Sequence, residues 1–150
     1  VSWNDCQDFI KKLNEKTNGK YRLPSGDEWE YACRAGTTTD FAFGDKLLPE
    51  HANFKESGLN KFTEVGSYKP NNFGLYDMHG NVFEWVTDIT GREPNKSAKN
   101  PEDPREIIFH GIRSGYYNDP ANVAKSSNQN GGSSNEKYRG SGFRLLKEID

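Results

Sequence analysis

The sequence predicts an α+β domain with unusually high coil content, and three observations carry that prediction. Two capped amphipathic helices are written into the first 36 residues. Beyond Gly36 no further ten-residue helical pattern occurs. The apolar runs that remain read as short antiparallel strands, separated by long connections rich in Gly, Pro, Asn and Ser.

The first helix starts at Ser2, which can cap it, with Asp5 three residues on as the capping-box partner. Trp3, Cys6, Phe9, Ile10 and Leu13 then share one face at a 3.6-residue period, and Asn18-Gly19 supplies a left-handed stop. Tyr21-Arg22-Leu23 is extended and leads into Pro24. The second helix begins at Ser25 with Glu28 as its box partner, turns Trp29, Ala32 and Cys33 inward, and stops at Gly36. Four later segments have strand character: Thr63–Tyr68, Val82–Val86, Ile107–Ile112 and Gly142–Leu146. Gly91–Arg105 holds three prolines and several charges and reads as an exposed loop. Neither side of it could close a core alone, so residues 1–150 are expected to form a single domain.

Composition narrows the function classes. Twenty Lys and Arg against 22 Asp and Glu leave a net charge of −2, without the basic face a nucleic-acid binder carries. Lys11, Lys12 and Lys16 read as a solvated helix face. No run approaches the ~20 apolar residues of a membrane-spanning helix. Eight Leu, 6 Ile and 5 Val are few for 150 residues, so the core must come from large rings. Trp3, Phe9, Trp29, Tyr76 and Trp85 are the expected core aromatics. Cys6 and Cys33 sit among apolar neighbours and read as two buried thiols; no Cys/His spacing suits zinc. Asn95-Lys96-Ser97 matches the glycosylation sequon, a pattern common by chance.

Four segments together resemble the formylglycine-generating-enzyme/sulfatase-modifying-factor family. They are Val1-Ser2-Trp3-Asn4-Asp5; Tyr21-Arg22-Leu23-Pro24 followed by Glu28-Trp29-Glu30-Tyr31-Ala32; the run from Asn71 to Trp85, NNFGLYDMHGNVFEW; and Gly142-Phe143-Arg144-Leu145. The resemblance spans nearly the whole chain and implies an irregular C-type-lectin-like fold, with the domain's N-terminal portion missing. Active members use a copper-binding cysteine pair on the segment before GFR. This chain has no cysteine after Cys33, so no copper is expected. A related branch uses an iron site built from histidines, but His51, His79 and His110 are scattered singly. The resemblance implies a structural calcium ion held by the Asp77 side chain, the Gly80 and Val82 carbonyls, and the Glu84 carboxylate. In the competing arrangement Asp77 and Glu84 cap a turn and pair with an arginine. A second family calcium site would use Asn53 and the Phe54 carbonyl, but the following loop offers no clear Asp.

Ser114–Ser141 stands apart. Of its 28 residues, 19 are Asn, Ser, Tyr, Gly or Asp, the mixture of rigid rings and adaptable polar groups typical of antibody paratopes. It is similar to the diversified region of variable proteins of diversity-generating retroelements, with Arg113-Ser114-Gly115-Tyr116-Tyr117 as a degenerate start motif. The resulting expectation is a non-catalytic, lectin-like scaffold binding a protein or glycan partner. Its contact residues are Tyr116, Tyr117, Asn118, Asn128, Asn130, Asn135, Tyr138 and Arg139. An extracytoplasmic or cell-surface location suits such a role. The competing function is a formylglycine-generating oxidase or a degenerate relative.

Overall fold

The computed structural model describes residues 1–94 and 106–149. Helix α1 (Trp3–Thr17) opens with the full capping box: the Ser2 hydroxyl accepts from the Asp5 N–H, and the Asp5 carboxylate accepts from the Ser2 N–H. It closes on Asn18, itself left-handed at φ 51°. Helix α2 (Gly26–Arg34) repeats the device with Ser25 and Glu28, and ends on left-handed Ala35 and Gly36. Both helices match the sequence reading because capping is decided within four residues of chain.

The described strands form two sheets. Strand β1 (Tyr21–Arg22) pairs antiparallel with β6 (Leu146–Lys147), tying the end of the chain beside α1. The larger sheet comprises β2 (Phe83–Pro94), β3 (Glu106–Arg113), β4 (Asn130–Ser133) and β5 (Ser141–Gly142), in the order β4-β3-β2-β5. Its β2–β3 and β3–β4 pairs are antiparallel, whereas β2–β5 is parallel. Two register shifts interrupt β2 between Trp85 and Gly91.

Three readings change. Thr63–Tyr68 is not a strand but a turn, in which Gly66 takes φ 77° and donates its N–H to Asp77. Gly142–Leu146 splits: its first residue belongs to β5 and its last to β6, so Phe143 to Leu145 bridge two sheets. Gly91–Pro94 continues β2 instead of starting a loop; the rest of Gly91–Arg105, with the Asn95 sequon, lies outside the described residues.

Among the described residues, buried apolar side chains form three clusters. Trp85 packs with Cys6, Ile10, Leu23 and Ile112; Trp29 packs with Cys33, Met78 and Val86; Phe41, Leu47, Ala52, Phe54 and Ala124 form the third. Trp29 and Trp85 are fully buried, as their hydrophobic area demands. Trp3 is half-buried, stacked on His110 with ring centroids 3.7 Å apart and its indole N–H on the Val86 carbonyl. Phe9 and Tyr76, expected in the core, are instead 48% and 46% exposed. At 100° per residue Phe9 lies about 60° from Cys6, at the rim of the buried stripe, where it meets the edge of Phe143. Tyr76 lies outside the helices and strands and lines an open cavity.

Candidate functional site

The GLYDMHGNVFEW run forms a tight turn feeding β2. Asp77 and Asn81 take left-handed backbone, φ 55° and 63°, which Asp and Asn tolerate better than other side chains. Gly80 is required by contact: a Cβ there would lie 2.2 Å from the Asn53 carbonyl oxygen. The turn delivers Glu84 into the interior at 4% exposure. Its Oε2 accepts from the Trp29 indole at 2.6 Å and from Arg144 Nε at 2.5 Å, while Oε1 accepts from Arg144 Nη2 at 2.7 Å. Arg144 also donates to the Tyr76 carbonyl. The EW and GFR motifs therefore meet in one buried ion pair, a partnership neither motif shows alone.

Asp77, Val82 and Glu84 line one open cavity, but Gly80 does not. The Gly80 carbonyl accepts from the Val82 N–H and the Ser114 hydroxyl, and Asp77 Oδ2 accepts from Gly66. Calcium takes six to eight oxygens. As arranged, the two carboxylates serve a turn and an arginine, and Asp77 Oδ1 alone of their four oxygens has no partner among the described residues. The side chains do not converge into a calcium cage in this arrangement. At the second family site, the Asn53 amide donates to the Lys61 carbonyl and to Asn81, and its oxygen accepts from Ser57. Among the described residues no three His, Cys, Asp or Glu side chains converge as for a metal.

The 114–141 segment is half surface and half core. Asn118, Asn130, Asn135 and Arg139 are exposed. Asn128 is half-buried, with its amide on the Val123 carbonyl and its own carbonyl accepting from Arg113. Of the three tyrosines, Tyr117 is buried and Tyr116 and Tyr138 are half-buried. Tyr117 is 8% exposed and meets the edge of Phe62; Tyr116 stacks on Phe83; Tyr138 packs against Trp85, and its hydroxyl accepts the Ser133 N–H. A chain short of aliphatics packs these rings against Phe62, Phe83 and Trp85. Gly132 is equally constrained, since a Cβ there would come within 2.8 Å of Trp85, Tyr138 and Ile112 at once. Gly132→Ala is therefore expected to lower stability by about 1–3 kcal/mol through overpacking, whereas Asn130→Ala should stay within about 0.5 kcal/mol; urea melts of the two variants check this.

Cys6 and Cys33 are both fully buried and belong to different clusters. Burial pushes the Cys6 thiol up to about 11 and the Cys33 thiol up to about 12. Such thiols are protonated and inert. Beside Cys33, His79 Nδ1 donates to the Ala124 carbonyl at 2.7 Å, and Nε2 accepts from the Ala42 N–H. Burial pushes this imidazole from 6.5 down to about 4. The unfolded chain binds that proton first as pH falls, so the stability tied to neutral His79 is complete above about pH 6.5. It is lost as pH drops through about 4, amounting to about 3 kcal/mol. Urea melts across that range, with an NMR titration of the His79 ring, check the sign; a ring titrating near its ordinary value would refute it.

The sequence profile of the sulfatase-modifying factor enzyme 1-like domain matches residues 1–149. The formylglycine-generating enzyme of Streptomyces coelicolor is 30% identical over 173 residues, which cover all of this chain and 52% of that enzyme. The structure of PvdO from Pseudomonas aeruginosa superposes with a TM-score of 0.83 at 33% identity, covering 99% of this chain and 60% of PvdO. Treponema denticola variable protein 1 superposes at 0.66 with 30% identity, covering 83% of this chain and 46% of that one. The chain thus spans about half the length of these three relatives and 24% of a Chlamydia pneumoniae serine/threonine-protein kinase pkn1 that is 33% identical to it. Similar proteins include enzymes, inactive paralogues, a serine/threonine-protein kinase and a variable protein. The chain belongs to the sulfatase-modifying factor enzyme 1-like family.

Proposed function

We propose that these 150 residues act as a non-catalytic binding scaffold. The carrying observation is the state of the cysteines: two in the chain, buried on separate helices, with none after Cys33. Copper-dependent oxidation of a substrate thiol needs accessible thiolates, and the chain supplies none. The ligand-facing surface is the exposed part of the 114–139 segment, led by Asn118, Asn130, Asn135 and Arg139. Its partner is a protein or a glycan, recognised by adaptable side-chain amides and one guanidinium. The likeness to a variable protein supports this reading and extends it to genetic diversification of the segment. That extension predicts a near-identical repeat of the coding segment beside the gene, differing at adenines, which sequencing of the locus would reveal.

The competing reading is an oxidase of the formylglycine-generating type or a degenerate relative, favoured by the identity to the Streptomyces coelicolor enzyme. Mass spectrometry of a cysteine-containing sulfatase peptide, incubated aerobically with the chain and copper, separates the two. No aldehyde product is expected. Turnover beyond the protein-free control would overturn the scaffold reading.

A further inference from the structure

Strand β4 lies at the edge of the larger sheet, paired with β3 on one side only. Antiparallel partners alternate between pairs that exchange hydrogen bonds and pairs that do not. The Ser134 N–H donates to the Ile108 carbonyl at 2.9 Å, one step beyond the Phe109–Ser133 register. Gly132 opposite His110 and Asn130 opposite Ile112 therefore face β3 in the same way, while Gly131 and Ser133 turn their N–H and C=O groups outward. These two outward residues meet different surroundings. Ser133 donates to the Tyr138 hydroxyl and its carbonyl accepts from the Glu136 N–H, so the chain covers that end of the edge itself. Gly131 is exposed, and among the described residues no hydrogen bond reaches its outward groups. Nothing blunts the edge there, since Gln129 to Ser133 includes neither a charge nor a proline. An exposed donor and acceptor on one residue of an edge strand match the backbone of one further extended strand.

The face beside Gly131 has room for one of that strand's side chains. An open cavity of about 370 Å³ is lined by Thr90, Gly91, Arg92, Glu93, Phe109 and Gly131. Phe109 is half-buried and lies opposite Gly91, which has no side chain to cover its ring. Gly131 keeps the way in from the β4 edge open, because a Cβ there would stand 2.5 Å from the Thr90 hydroxyl oxygen. Directly opposite residues of an antiparallel pair project to the same face, so a residue bonded to Gly131 directs its side chain over it. With an apolar ring as floor and Thr90, Arg92 and Glu93 as a polar rim, the cavity suits the amphipathic ring of a tyrosine.

We propose that the outer edge of β4 receives an extended segment of a protein partner, which adds a strand to the sheet and seats a tyrosine on Phe109. This rests on the reading of the 114–139 segment as the binding surface, and narrows the partner to a protein.

The test titrates the isotope-labelled 150-residue chain with acetyl-Thr-Thr-Tyr-Thr-Thr-amide, with the same peptide N-methylated at its tyrosine, and with its alanine counterpart. The expected result is saturable movement of the Gln129, Gly131 and Phe109 amides, with slowed exchange of the Gly131 N–H. N-methylation removes the donor to the Gly131 carbonyl and should weaken binding about tenfold, the effect of one lost hydrogen bond. Alanine should weaken it about fivefold through loss of the ring contact. Gly131→Val, with folding checked by its amide spectrum, should abolish binding, because the added side chain crowds Thr90 and closes the passage. No saturation, or equal binding of the N-methylated peptide, would overturn the proposal. Movement confined to Asn118, Asn135 and Arg139 would overturn the edge contact alone and leave the scaffold reading in place; that reading fails separately, in the oxidase assay. Protection of the Gly131 N–H that rises with protein concentration alone would also overturn the proposal, by assigning the edge to a second copy of the chain.

Discussion

Trp85→Ala is expected to leave the domain unfolded or barely folded. The ring is fully buried, packs with Cys6, Ile10, Leu23 and Ile112, and donates its indole N–H to the Val1 carbonyl. Truncating such a ring costs about 3–5 kcal/mol from lost transfer energy and the remaining cavity. Total stability for a domain is only about 5–15 kcal/mol. The cluster also joins elements remote in sequence, so the loss cannot be absorbed locally: α1, β2 and β3 all contribute to it. Thermal melts of Trp85→Ala and of the exposed-ring variant Phe9→Ala check the contrast. Phe9→Ala should shift stability far less because Phe9 is about half exposed.

Breaking the Glu84–Arg144 pair should have a comparable effect by a different route. Glu84 is 4% exposed, so Arg144→Met would strand a carboxylate inside the protein with the Trp29 indole as its remaining donor. Removing one member of a buried pair costs about 3–5 kcal/mol, most of it the uncompensated charge. The double variant Glu84→Gln/Arg144→Met removes the charge as well, and is expected to recover most of that loss. Chemical denaturation of both variants measures this. A single variant as stable as the natural chain would show that water reaches Glu84 and that the pair is not structural.

The two helices were legible because everything that makes them is local. Ser2 and Asp5, Ser25 and Glu28, and the spacing of Cys6 and Ile10 all act within one or two turns. The strand pairings were not. Phe143-Arg144-Leu145 looks like one extended run, yet Ser141 pairs with Phe83 while Leu146 pairs with Arg22. Nothing in those residues specifies two sheets; partners more than 50 residues away do. Tyr76 and Phe9 misled in the same way, since an aromatic residue is apolar wherever it lies and only its neighbours decide whether it is covered.

The candidate site divides along the same line. The absence of any cysteine after Cys33 in these 150 residues is legible in the sequence. So is the polar character of the 114–141 segment, since it follows from composition. Which of its residues face outward is a tertiary decision. Tyr117 is held inward by Phe62, and Tyr138 by Trp85 and the Ser133 N–H, whereas Asn118, Asn130, Asn135 and Arg139 are exposed. The fate of the two carboxylates was decided in the same way. Asp77 and Glu84 are seven positions apart and equally charged, but Arg144 reaches Glu84 and does not pair with Asp77. Sequence sets which groups carry charge; long-range packing sets which charges are cancelled, because Coulomb attraction depends on distances that only the folded chain defines.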